Sequence, residues 1–174
     1  MSNNEKQAVA RAFESTDKFY INYFFNTRGY NVQQTTEGKL YDYVITNQKT
    51  NKTTYIEVKF RNTYYDTFYL NSLKYKRLYD CSIVNNTDIF IVYAFPTENL
   101  LTITNLNEIN PNNTKEVKVS NPVKGDTIEQ TIEFQPSKTY TYDMRSYKNI
   151  LSQHLHWEKT LSQEIIDTTL MKWK

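Results

Sequence analysis

Cysteine is nearly missing from this chain of 174 residues: Cys81 stands alone, so no intramolecular disulfide and no thiolate-built zinc site is available. Glycine is almost as scarce, at positions 29, 38 and 125 only. A phosphate-cradling loop needs several glycines close together, and neither the Walker nor the dinucleotide fingerprint occurs. No His-Glu-x-x-His pattern and no nucleophile elbow is present either. The two histidines, His154 and His156, are two apart; on a helix they diverge by about 200° and do not chelate one ion together. No apolar run approaches the roughly 20 residues that cross a bilayer. The opening Met1 to Lys6 is polar and does not read as a signal peptide. The expectation is a soluble cytoplasmic protein with no membrane partner. Excess charge is missing too: 21 Lys and Arg face 19 Asp and Glu, a formal net charge of +2. Any affinity for phosphate has to come from a local patch rather than from a bulk field.

What the chain does have is aromatic bulk, 15 Tyr and 9 Phe within a hydrophobic fraction of 39%. Aromatic side chains bury large areas, and tyrosine keeps a polar tip, so a modest apolar fraction still builds a core. The length fits one domain, 1–174. The bias toward Asn, Lys, Tyr and Ile suits an AT-rich genome, bacterial or phage.

Ser2 followed by Glu5 has capping-box spacing, and Gly29 follows Thr27-Arg28 as a helix stop. Between them Val9, Phe13, Thr16, Tyr20 and Phe24 recur at helical spacing, which places Phe13, Tyr20 and Phe24 against a sheet. Tyr30 to Gln34 reads as a strand. So do Leu40 to Thr46 and Thr53 to Phe60, joined by a polar turn too short for a crossover helix and hence antiparallel. A helix is expected from Asn71 to Tyr79, with Leu70, Leu73, Arg77 and Leu78 near one side. Asp88 to Phe95 is continuously apolar, as a strand covered on both faces would be, and Leu100 to Thr104 extends the sheet. Beyond a polar loop from Asn105 to Asn113, Glu116 to Val119 and Thr127 to Phe134 alternate as a hairpin. A short strand at Tyr140 to Tyr142 precedes helices at Ser146 to Trp157 and Thr160 to Trp173.

Chemistry concentrates on the second and third strands. Residues two apart on a strand share a face, so Glu57 and Lys59 stand together while Ile56 and Val58 fill the other side. Antiparallel pairing brings Asp42 beside Glu57. Two acids and a lysine suit phosphodiester hydrolysis: a hard cation on oxygen ligands neutralises the phosphate and acidifies a water. Asp42, Glu57 and the Val58 carbonyl supply such oxygens, and Lys59 a point charge for the developing negative charge. The plainer reading is an edge-strand surface pair, Glu57 with Lys59, and a turn-adjacent Asp42.

Asp42, a spacer, then Glu57-Val58-Lys59 resembles the active-site signature of the PD-(D/E)xK nucleases, the superfamily of restriction endonucleases and Holliday junction resolvases. The resemblance covers Glu5 to Phe95, and Tyr41 stands where the family name has proline. It implies an α/β restriction endonuclease-like core of helix, three antiparallel strands, helix and strand over 1–104. The 105–174 hairpin and terminal helices would then be additions that grip substrate, form a dimer or shield an edge. It further implies a Mg2+- or Mn2+-dependent deoxyribonuclease with Asp42, Glu57 and Lys59 catalytic, and DNA rather than RNA as partner. A homodimer making paired cuts in a duplex or junction is compatible with it. Many members place a glutamate on the first helix in the metal site, which would be Glu14; an exposed pair of Glu14 with Lys18 explains the same residue without a metal. Members also place a lysine on the helix after the third strand, here Lys74. With Arg61, Tyr64 and Tyr65 interleaved, that segment offers cations for phosphate and rings for bases; Asp66 reads as a cap or turn residue. The alternatives are a non-catalytic nucleic-acid-binding protein on the same fold and a phage protein-interaction protein.

Overall fold

The computed structural model describes residues 3–36, 38–61, 63–121, 125–135, 141–157 and 163–171. Its order is α1 (Asn3–Asn26), β1 (Tyr30–Gln34), β2 (Tyr43–Asn47), β3 (Thr53–Phe60), β4 (Phe68–Asn71), α2 (Ser72–Asn85), β5 (Ile89–Phe95), β6 (Leu100–Asn105), β7 (Thr114–Asn121), β8 (Gly125–Phe134), β9 (Thr141–Asp143), α3 (Tyr147–Trp157) and α4 (Gln163–Met171). A six-stranded sheet runs β1-β2-β3-β5-β6-β9, and a second sheet runs β4-β8-β7. Strands β1 to β3 pair antiparallel, β5 joins β3 in parallel, and β6 returns antiparallel to β5. The helix between β3 and β5 is what a parallel neighbour requires, since no tight turn can reverse the chain twice.

Central position explains the apolar sequence of β5. Val92 and Ala94 face the α1 side with Tyr20, Phe24 and Ile56, while Ile89, Ile91, Tyr93 and Phe95 face the α2 side with Leu78 and Leu106. Ile56, Ile91 and Val92 are fully buried, and each such side chain removed from water contributes about 1.5–3 kcal/mol. On β3 the same alternation puts Ile56, Val58 and Phe60 with the α1 layer. Glu57 and Lys59 therefore face the α2 layer. Helix α1 buries Tyr20 and Phe24 as its spacing foretold; Ser2 and the side chains of Val9 and Phe13 lie outside the described residues. It stops at Asn26, and Gly29 adopts φ +80°, the left-handed turn that glycine takes without steric penalty.

Four features differ from expectation. Helix α2 runs to Asn85, past Tyr79, because Asn86 rather than an earlier residue adopts the left-handed cap, its N–H bonded to Ile83 O. The exposed β-branched Ile83 and Val84 hide those last turns from a propensity reading. The inward face of α2 is Tyr75, Leu78 and Ser82, while Leu73 is 57% exposed. Strand β4 was not anticipated, being four residues whose partner, Thr131 to Phe134, lies 60 positions on. The loop after β6 is less polar in role than in composition, since Leu106 and Ile109 are buried under α2. The hairpin matches expectation in place and, by pairing with β4, forms the second sheet against the first. At the C-terminal end α3 and α4 stand as expected; the His154 and His156 side chains and Trp173 lie outside the described residues.

Candidate active site

Asp42 sits one residue ahead of β2, held there from both sides. Its N–H donates to Ile56 O at 2.8 Å, and its own carbonyl accepts from Thr35 N at 2.9 Å. Thr35 Oγ1 adds a bond to Tyr41 O at 2.5 Å. Tyr41 stacks on Tyr55 with centroids 4.1 Å apart and planes within 7°. A ring stack thus anchors the residue before Asp42. The carboxylate then reaches past the end of β2, where Oδ2 accepts from Val58 N at 2.7 Å.

That bond reveals the geometry of the edge. Tyr55 N donates to Asp88 O and Arg61 N to Ala94 O, so the odd residues of β3 aim their backbone groups at the β5 side. The even residues aim at β2. The N–H and C=O of one strand residue leave by the same edge, so the Val58 carbonyl points toward the Asp42 side.

Glu57 is the anomaly of the molecule, a carboxylate only 2% exposed. Lys59 Nζ lies 2.5 Å from Oε1, and Lys74 Nζ, arriving from α2, lies 3.0 Å from Oε2. Lys74 also donates to Leu40 O at 2.5 Å, so one ammonium spans the Leu40 turn and Glu57 Oε2. A buried carboxylate is costly to keep, and two cations beside it offset that cost. Asn71 caps α2 by accepting from Lys74 N at 3.0 Å, which fixes the first turn and with it the lysine.

Charge across the edge is visible in Asp42. Burial raises its pKa first, and the Glu57 charge raises it further; the Val58 N–H, Lys59 and Lys74 pull the other way without prevailing. The phenol of Tyr43, beside it, is pushed well above the ordinary range, first by burial and then by Asp42, Asp17 and Glu14. Glu14 and Asp17 on α1 share a cleft with Asp42, Gln34 and Val58. Glu14 itself is 64% exposed and pairs with Lys18 at 2.6 Å. Asp17, one turn along α1, escaped sequence reasoning; its spacing of three from Glu14 is the signal that could have found it.

Among the described residues no three His, Cys, Asp or Glu side chains converge as a ready metal cluster. Two carboxylates suit Mg2+, which takes one or two from protein and fills the rest of its shell with water and substrate phosphate. The Glu57 and Asp42 carboxylates and the Val58 carbonyl are hard oxygen donors of that kind, and they fit such an ion. Arg61 is exposed with its guanidinium 5.9 Å from the Tyr93 ring, and Tyr65 is 61% exposed. Tyr64 is half-buried and packs edge-on against Phe95 at 5.2 Å.

No protein-family model matches the sequence, and no curated protein matches it. Among solved structures, the chain is similar to the 1.6 Å structure of Archaeoglobus fulgidus Hjc, a Holliday junction resolvase from an archaeal hyperthermophile. The identity is 11% and the TM-score 0.49, over 75% of this chain and 90% of that one.

Proposed function

We propose that the chain is a metal-dependent endonuclease that hydrolyses phosphodiester bonds in DNA. The observation that carries this is the meeting of Asp42, just before β2, with a buried, doubly lysine-paired Glu57 inside β3. Stability alone gives little reason to bring two carboxylates into mutual repulsion, whereas a divalent cation between them gives one. Asp42, Glu57 and the Val58 carbonyl would hold Mg2+ or Mn2+, and Glu14, which shares the cleft with Asp42, would be a further ligand in place of its pair with Lys18. When bound, the cation supplies charge neutralisation on the phosphate and a water acidic enough to deprotonate.

The chain's own groups do the rest. Lys59 Nζ, on the same strand face as Glu57, turns from Oε1 to the non-bridging phosphate oxygen and steadies its developing charge. Lys74 tethers the Leu40 turn and so fixes the approach of Asp42. Arg61 and Tyr65 flank this edge as substrate contacts, while Tyr64, packed on Phe68 and Phe95, is taken up by the core. Paired cuts in a duplex or branched substrate would follow if two copies act as a homodimer.

The test is cleavage of labelled duplex, single-stranded, flapped and four-way-junction DNA, plus RNA, in Mg2+, Mn2+ or EDTA. Wild type is run beside Glu57→Ala and Lys59→Ala. Metal-dependent cutting lost in both variants supports the reading. Tight binding without cutting, unchanged in the variants, would overturn it in favour of a binding protein.

A further inference from the structure

Beyond Lys59 the α2 face of the sheet opens into a groove of about 880 Å³, walled by the ends of β3 and β5, the segment before α2 and the second sheet. Its volume lies within the roughly 300–1,000 Å³ of ligand clefts. Three kinds of side chain line it. Cations come from Lys59, Lys74 and Arg61, the first two paired with Glu57. Tyr65 and Tyr69 add exposed rings. Glu129 of β8 adds a carboxylate, which accepts from Asn71 Nδ2 at 2.9 Å through Oε2.

From this combination we propose that the groove receives one unstacked DNA base, whose own phosphate rests on the cations Lys59, Lys74 and Arg61. The inference rests on the nuclease reading above and names its substrate class: DNA with an unpaired nucleotide beside the scissile bond. A phosphate chain running the length of the groove would meet Glu129 and Asp66, two like charges. A neutral heterocycle meets the rings of Tyr65 and Tyr69 and the Glu129 carboxylate. That carboxylate accepts from ring N–H and exocyclic amino groups, at least one of which every DNA base presents. Lys59 belongs both to the groove and to the Glu57 pair, so the base in the groove and the phosphate at the catalytic edge are neighbours on one strand. A base inside a duplex cannot enter without leaving its stack, and an already unpaired one enters at least cost.

The experiment uses the full chain and two DNAs, one duplex carrying a single unpaired 2-aminopurine and the same duplex fully paired. Binding and 2-aminopurine emission are measured in EDTA, and cutting in Mg2+. Wild type should prefer the unpaired DNA by about tenfold or more, with emission changing as the base stacks on tyrosine. Tyr69→Ala, a surface change, should remove about tenfold of that preference and leave affinity for paired duplex in place, while Tyr65→Ala should lower the preference and overall affinity together; circular dichroism confirms the fold. Glu57→Ala should lose cutting and keep the preference. Equal binding of the two DNAs with unchanged emission, or a preference that survives both tyrosine variants, overturns the proposal. Equal cutting of both DNAs overturns the groove while the nuclease stands. A tyrosine-dependent preference without any cutting overturns the nuclease while the groove stands.

Discussion

Lys74 bridges two parts of the candidate site, its ammonium 3.0 Å from Glu57 Oε2 while it donates to the Leu40 carbonyl at 2.5 Å. Removing this cation leaves Glu57 with Lys59 alone and frees the turn that precedes Asp42. Lys74→Ala should therefore bind Mn2+ several-fold more tightly, because a like charge has left, yet cut more slowly, because Asp42 is less firmly placed. Calorimetric titration with Mn2+ beside single-turnover cleavage separates the two effects.

Glu57→Gln should keep the fold and lose about a hundredfold or more in metal-dependent cleavage, the scale of removing one charge-stabilising group from an active site. DNA binding in EDTA should be retained or strengthened, since two ammonium groups lose their carboxylate. A gel-shift titration and a time course check both halves.

Asp42 carries a pKa above the ordinary aspartate value, raised first by burial and then by Glu57. Because the folded-state value exceeds the unfolded one, the native state is favoured while Asp42 is protonated, and that contribution is lost as pH rises through the raised pKa. Asp42→Asn should accordingly be more thermally stable than wild type at neutral pH and inactive. Metal binding, which must displace the Asp42 proton, should weaken on the acid side at a higher pH than an ordinary aspartate would set. Thermal melts and Mn2+ titrations across pH decide it.

Tyr93 donates from its hydroxyl to Tyr69 O at 2.7 Å, joining the six-stranded sheet to the second one. Burial pushes this phenol above the ordinary range, so it stays protonated as a donor. Tyr93→Phe orphans the carbonyl and should cost about 1 kcal/mol, a drop of about 2–4 °C in Tm for a chain of this size.

Strand alternation made most of this legible beforehand. Ile56 and Val58 against Glu57 and Lys59 fixed the faces of β3, and the unbroken apolar run of β5 marked the sheet centre. What escaped was decided far away in sequence. The β4 segment is too short to show a period, and only its pairing with Thr131 to Phe134 makes it a strand. Tyr64 reads as an exposed ring beside Tyr65, yet it packs on Phe68 and Phe95, because β4 draws that part of the chain over the sheet. Asp17 was passed over since one acid on a helix face rarely means more than solvation, and only the fold places it near Asp42 and Tyr43.

The register of Phe68 opposite Phe134 has a bearing on how the protein is made. On a ribosome, residues 30 to 60 can pair as a meander soon after they emerge, while β4 waits for a partner that is synthesised 60 residues later. Contacts of such long sequence separation form late and slowly. A nascent chain halted before Thr131 would hold the acidic edge of Asp42 and Glu57 without the second sheet beside it. Substrate discrimination by that sheet would then be the last property the growing polypeptide acquires.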